Sequence, residues 1–339
     1  MPESIDWPRT HSPQRRRGRR FFLILAALVV ILFAGRAALS YCVDVLWFGS
    51  LGYADVFWKT LSLQWGVFAA FAAATFLIVY GSFLALRRAH LRDLLNGPTI
   101  LIGGQPLKLP VEPVLRLIAL GVSLAIALAA GGAMSAEWQT LALFWYTPRN
   151  GGVLDPIFAK SLNFFLFALP AWQLIVGWLL TLSVITCVLA AFFILITGGA
   201  RALTGRLSRA VALPWRGLSI TFAFLLLILA TRVYLGRFER LLDDHTIFGG
   251  VTYTDLHITL TGMLVVCVAL ILGAAIATVN AARVPRGRWL LAAILPAALC
   301  YLAVQGVAWY VNSFIVKPNE LVREKPYIVY NTELTRQAY

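Results

Sequence analysis

Charge is scarce in this 339-residue chain: only 13% of its residues are Asp, Glu, Lys or Arg, against roughly 25% in an ordinary soluble domain. A water-soluble fold of this length needs more polar surface than that to cover its core. Catalytic signatures are also lacking, with no HExxH, no GxSxG and no phosphate loop ending in Gly-Lys-Ser/Thr. Cysteine is sparse. Cys42, Cys187, Cys267 and Cys300 all lie in apolar runs, with no CxxC pair, and read as small hydrophobes rather than disulfide or metal residues. Acidic residues avoid the middle of every long apolar run, which weakens a proton- or cation-coupled transport reading, because such transporters normally keep a carboxylate at mid-membrane. No cofactor is expected.

Long apolar runs are what the chain does have. Hydrophobic residues make up 60% of it, in blocks at 21–43, 61–86, 114–132, 171–197, 217–235, 258–280 and 289–310. Each block holds about 19 to 27 residues and, at 1.5 Å per residue, can cross roughly 30 Å of hydrocarbon. This predicts an all-α fold, a seven-helix transmembrane bundle in the cell membrane spanning 21–310, between a basic tail at 1–20 and a tail at 311–339. The first tail closes on Arg15, Arg16, Arg17, Arg19 and Arg20 and is expected to be disordered up to the membrane surface. Together with Phe21–Ala34 it has the form of a secretory signal. Apolar sequence resumes after Arg36 and no small-x-small cleavage site stands out, which favours an uncleaved span.

Lys and Arg set the orientation. With the N-terminus in the cytoplasm, the inner segments hold six in the tail, five from Arg87 to Arg116, four from Arg201 to Arg216 and three from Arg283 to Arg288, against ten outside. The C-terminus is therefore expected outside. Net charge is +14, but the basic residues sit between apolar blocks, so neither their placement nor any motif points to nucleic acid. Basic segments such as Gly198–Arg216 suit anionic lipid headgroups instead.

The loops carry shape signals. Around Gly103-Gly104, the segment Thr99–Leu109 reads as a β-hairpin. Trp138, Phe144, Trp145 and Tyr146 have the make-up of an interfacial aromatic belt. Pro156–Trp172 is mostly apolar and is expected to lie along the membrane until Pro170 turns the chain into a span. Gly131-Gly132-Ala133 and Gly273-Ala274-Ala275 permit close helix packing.

Four segments together resemble the uncharacterised protein family UPF 0182, a prokaryotic membrane family. They are Val43–Tyr53 with Val56-Phe57-Trp58; Asp155-Pro156-Ile157-Phe158 leading to Phe164–Pro170; Tyr253-Thr254-Asp255-Leu256-His257; and Val316–Leu321 with Lys325–Ile328 and Thr335–Tyr339. Ser161 and Ala168 stand where that family often has acidic residues. The resemblance implies seven spans followed by a large extracytoplasmic domain, of which this chain is similar to the N-terminal membrane module alone. It implies no established activity.

Candidate chemistry is thin. Asp243, His245, Asp255 and His257 could contribute to a divalent metal site, since Asp255 and His257 would share one face of an extended segment. Alternatively, Asp243 and Asp244 end a helix with Arg240 and Asp244 at i, i+4 spacing, and Asp255 caps the next one. Arg36 and Arg232 lie toward outer span ends and read as snorkelling anchors. Gln64, Gln173 and Gln305 suit helix–helix hydrogen bonds. The leading expectation is a non-enzymatic membrane module anchoring an extracytoplasmic domain or an envelope partner. The other expectations are a transporter or channel for an uncharged or lipid-like solute and, more weakly, an envelope enzyme using the metal candidates.

Overall fold

The computed structural model describes residues 28, 35, 36, 38–94, 101, 102, 105, 106, 111–148, 153–203, 215–245, 248–283 and 285–338. The tail at 1–20, most of the 21–43 block and 204–214 of the basic loop lie outside them. The chain divides into two compact units, Met1–Trp65 and Gly66–Tyr339.

In the first unit, helix α1 is described from 38 to 50. It passes the end of the apolar block at 43 and closes at Leu51–Tyr53, where Gly52 takes φ 78°. Tyr53 N–H donates to the Phe48 carbonyl at 2.9 Å, and the Phe48 ring lies 5.7 Å from that of Phe57. Helix α2 (Ala54–Leu94) starts here and runs on into the second unit.

The second unit continues with the predicted hairpin. Strands β1 (Leu101–Ile102) and β2 (Gln105–Pro106) pair antiparallel, Leu101 opposite Pro106 and Ile102 opposite Gln105. Then come α3 (Val111–Ala136), α4 (Trp138–Tyr146), α5 (Leu169–Leu203), α6 (Arg216–Glu239), α7 (Leu260–Ala282), α8 (Gly287–Tyr310) and α9 (Glu320–Ala338). Among the described residues, six helical segments are long enough, and each holds a stretch apolar enough, to cross a membrane: Ala54–Ala89, Pro113–Ala136, Phe164–Ile196, Arg216–Leu242, Asp255–Ala282 and Gly287–Glu333. They correspond to the second through seventh blocks of the sequence.

Small residues set the helix spacing. A Cβ on Gly273 of α7 would overlap the carbonyl oxygen of Ala293 in α8, so the two backbones touch only because no side chain intervenes. A Cβ on Gly131 of α3 would stand 2.8 Å from that of Ala72 in α2. Around the first contact, α6, α7 and α8 bury Ala223, Leu226, Ala230, Leu270, Ala274, Ala277, Ala293 and Ala297. Helices α5 and α6 meet through Leu169, Val176, Ile228 and Phe238. Trp178 of α5 donates from Nε1 to Thr75 Oγ1 of α2 at 3.0 Å, one of the polar ties in this apolar packing. Outward-facing leucines are left uncovered, with Leu195 73% and Leu291 70% exposed. Water disfavours such a surface, whereas lipid accepts it.

Three helices are irregular at one end. Five-residue π turns occupy Phe164–Ala168 ahead of α5 and Asp255–Thr259 ahead of α7, and a six-residue one, Val311–Val316, comes after α8. The first corrects the expected path of Pro156–Trp172. The chain is helical from residue 162, and Pro170 sits inside the helix instead of turning it. The wide π turn comes just before Pro170, whose ring and missing N–H disfavour ordinary i→i−4 pairing. Past α8, the π turn and a 3-10 turn (Lys317–Asn319) lead without a break into α9.

Candidate functional site

The first turn of any helix leaves backbone N–H groups without partners inside it. At the start of α7 the sequence meets this with Thr252 and Asp255, three residues apart. The Thr252 hydroxyl accepts from Asp255 N–H at 3.2 Å, while an Asp255 carboxylate oxygen accepts from Thr252 N–H at 3.3 Å and from the Thr252 hydroxyl at 2.7 Å. This reciprocal pair is a capping box. Asp255 therefore caps, as one of the two sequence readings expected.

The next N–H, that of Tyr253, is satisfied from far along the chain. Both carboxylate oxygens of Glu324, in α9, accept it at 3.2 and 3.1 Å. Burial pushes the Glu324 carboxyl above its ordinary range, with Glu320 and Asp255 adding to the rise; the Tyr253 N–H bond and His245 pull the other way. Glu324 lies on the polar helix beyond the apolar run of α8. Around this bond, Arg323 sits over the Tyr253 ring at 5.3 Å, Tyr327 is buried, and the Asn331 side-chain amide donates to the Gly249 carbonyl at 2.7 Å. α9 is thus held against the start of α7 and the segment before it.

Beside the clamp lies a polar pocket of about 370 Å³, lined among others by Arg240, His245, Asp255, Gln305, Lys317 and Glu324. Two buried polar atoms here, His245 Nε2 and Thr254 Oγ1, have no hydrogen-bond partner among the described residues. His245 Nε2 stands 3.5 Å from an Asp255 carboxylate oxygen.

Of the four metal candidates, only His245 and Asp255 are brought together. Asp243 receives Arg240 Nη1 at 2.8 Å, so Arg240 pairs one residue earlier than the i, i+4 reading has it. The chain leaves helical geometry at Asp243, which brings that carboxylate rather than Asp244 alongside. His257 turns back on its own helix, with Nδ1 3.0 Å from the Tyr253 carbonyl and its ring stacked on Tyr253 at 4.2 Å. The expectation that Asp255 and His257 share a face assumes an extended strand. The segment is helical, where residues two apart point in nearly opposite directions. Among the described residues no three His, Cys, Asp or Glu side chains could hold one metal ion.

The arginines behave as the helix ends require. Arg232 reaches seven residues along α6 to pair with Glu239 at 3.0 Å, and Arg237 Nε donates to the Leu260 carbonyl of α7 at 3.1 Å. Arg36 is exposed on its helix. Trp145 is 79% exposed at the end of α4, and Phe144 meets Trp172 edge to face at 6.0 Å.

The family model for an uncharacterised protein family (UPF0182) matches residues 21–339. Proteins carrying that family name are 31% identical in Bradyrhizobium diazoefficiens, 30% in Kocuria rhizophila and 32% in Mycobacterium avium, over 100%, 98% and 96% of this chain. The chain spans about a third of the length of these relatives, 37%, 33% and 32% respectively. The comparisons do not bear out the finer expectation of an N-terminal module alone. No solved structure matches the chain.

Proposed function

The chain belongs to the uncharacterised protein family UPF0182, and from that premise we propose that it is a multi-pass membrane module of the cell membrane whose outer rim holds an extracytoplasmic domain or partner protein in a fixed position. The reading takes seven spans, the first at 21–43, and a cytoplasmic N-terminus from the arginine count. Its strongest support is the Glu324 clamp. A helix too polar for lipid is tied through a buried carboxylate to the first turn of α7, so anything borne by α9 moves with the bundle.

Two observations weigh against the other readings. Between the polar pocket at one end of α7 and its far end, the alanine-rich layer of α6, α7 and α8 is closely packed, which disfavours a solute path along that interface. The pairing of Asp243 with Arg240 and of His257 with the Tyr253 carbonyl disfavours a metal-dependent enzyme there.

The test is photo-cross-linking in intact cells from exposed α9 positions Leu321 and Val322, with lipid-facing Leu272 of α7 as control. A discrete protein adduct from α9 but not from Leu272 is the expected result. Only lipid adducts at all three positions would refute the reading.

A further inference from the structure

The opposite end of α7 carries a different kind of cavity. A groove of about 600 Å³ runs along α7, floored by Leu272, Ala275, Ile276 and Val279 and closed at one end by Arg283, Arg286 and Trp289. We propose that this groove is a binding site for one anionic glycerophospholipid, its acyl chain along α7 and its phosphate between Arg283 and Arg286.

Complementarity of charge and polarity identifies the occupant. Among the described residues, no carboxylate lines the groove and no ion pair joins either arginine to an acidic residue. Leu272 and Val279 are 60% and 50% exposed, which suits an acyl chain. From Leu272 to Val279 the α7 surface extends about 10 Å at 1.5 Å per residue, and the arginines stand at the end where that apolar strip stops. Trp289, half exposed beside them, has the amphipathic ring that settles at headgroup depth.

The mouth of the groove is also rigid. Asn280 is 5% exposed, and its side-chain oxygen accepts Arg286 N–H at 3.0 Å. Its amide nitrogen donates to the Arg286 carbonyl at 3.2 Å and to Ser219 Oγ of α6 at 2.9 Å. Trp215 packs on the next residue, 2.9 Å from where a Cβ of Gly287 would stand. The Arg286 backbone is thereby fixed between three helices, so its side chain starts from a set position instead of a loose loop. This separates a site from the diffuse attraction of basic loops to anionic lipid, worth about fivefold in affinity per arginine.

The inference rests on the membrane placement proposed above but not on the role given to α9. Purified full-length protein would be placed in nanodiscs of phosphatidylcholine with one-fifth phosphatidylglycerol, and retained lipid counted by native mass spectrometry. One phosphatidylglycerol per chain should survive delipidation. Arg283→Gln with Arg286→Gln should lower its retention at least tenfold, and Ala275→Phe, which obstructs the floor without changing charge, about fivefold. Arg88→Gln, an exposed arginine on the same expected membrane side, should leave it unchanged. Equal retention by all variants would overturn the proposal, as would equal retention of phosphatidylcholine. Either result would leave the α9 cross-links untouched.

Discussion

Midway along α7, Gly273 and Ala274 lie against the backbone of α8 with nothing between them but small apolar atoms. At Asp255, where the same helix begins, the backbone widens into a π turn, two carboxylates are buried and two polar atoms have no hydrogen-bond partner among the described residues. The first region is built for closeness and tolerates no added volume. The second accepts costs that a packed interior normally avoids: a carboxylate out of water, a widened turn, a buried hydroxyl with no hydrogen-bond partner among the described residues. Such costs persist where something else is gained. Here the gain is a tie between α9 and the bundle.

The sharpest way to break the contrast is to add volume at its quiet end. Gly273→Leu should force α7 from α8 and lower stability by about 3 kcal/mol or more, read as loss of monodisperse protein in mild detergent. At the rim, Glu324→Ala should cost about 1–3 kcal/mol, because Tyr253 N–H loses its acceptor in a part-buried site. Faster hydrogen exchange through α9 and at 253–257, with α6 to α8 unchanged, is the expected pattern. The same carboxyl gives a pH dependence. Its folded pKa is raised by burial, so the neutral form is favoured in the docked state. Docking of α9 should be tightest below the ordinary carboxyl range and loosen as pH climbs through the raised value, with Glu324→Gln flattening the trend. The smallest effect is expected from His257→Phe, which keeps the stack on Tyr253 and should change stability by less than about 0.5 kcal/mol. A large loss there, restored by added zinc, would revive the metal reading.

The six helices long and apolar enough to cross a membrane were legible from hydropathy because each needs only a run of apolar residues long enough for a bilayer. The hairpin was legible from Gly103-Gly104, and the close contact of α7 and α8 from Gly273-Ala274-Ala275. The clamp was not. Glu324 meets Tyr253 across 71 residues, and no local pattern encodes a pairing made by two helices lying side by side. The π turns escaped for another reason. Hydropathy does not register how many residues a turn holds. The common face of Asp255 and His257 came instead from taking the segment as extended, and the helical backbone denies it. The capping role of Asp255, by contrast, was open to reading, because its partner Thr252 is three residues away.

The π turn after α8 also sets a phase. Each residue added to an α-helix rotates the downstream segment by about 100°, so a turn with surplus residues acts as an angular offset between Gly287–Tyr310 and Glu320–Ala338. Shortening Val311–Val316 by one residue would leave the apolar half of this long helix in place and turn the other half by more than a quarter circle. Glu324 would then face away from Tyr253, and Leu321 and Val322 would swing toward it. That six-residue stretch acts as an indexing joint, fixing which side of α9 is presented and which is spent on docking.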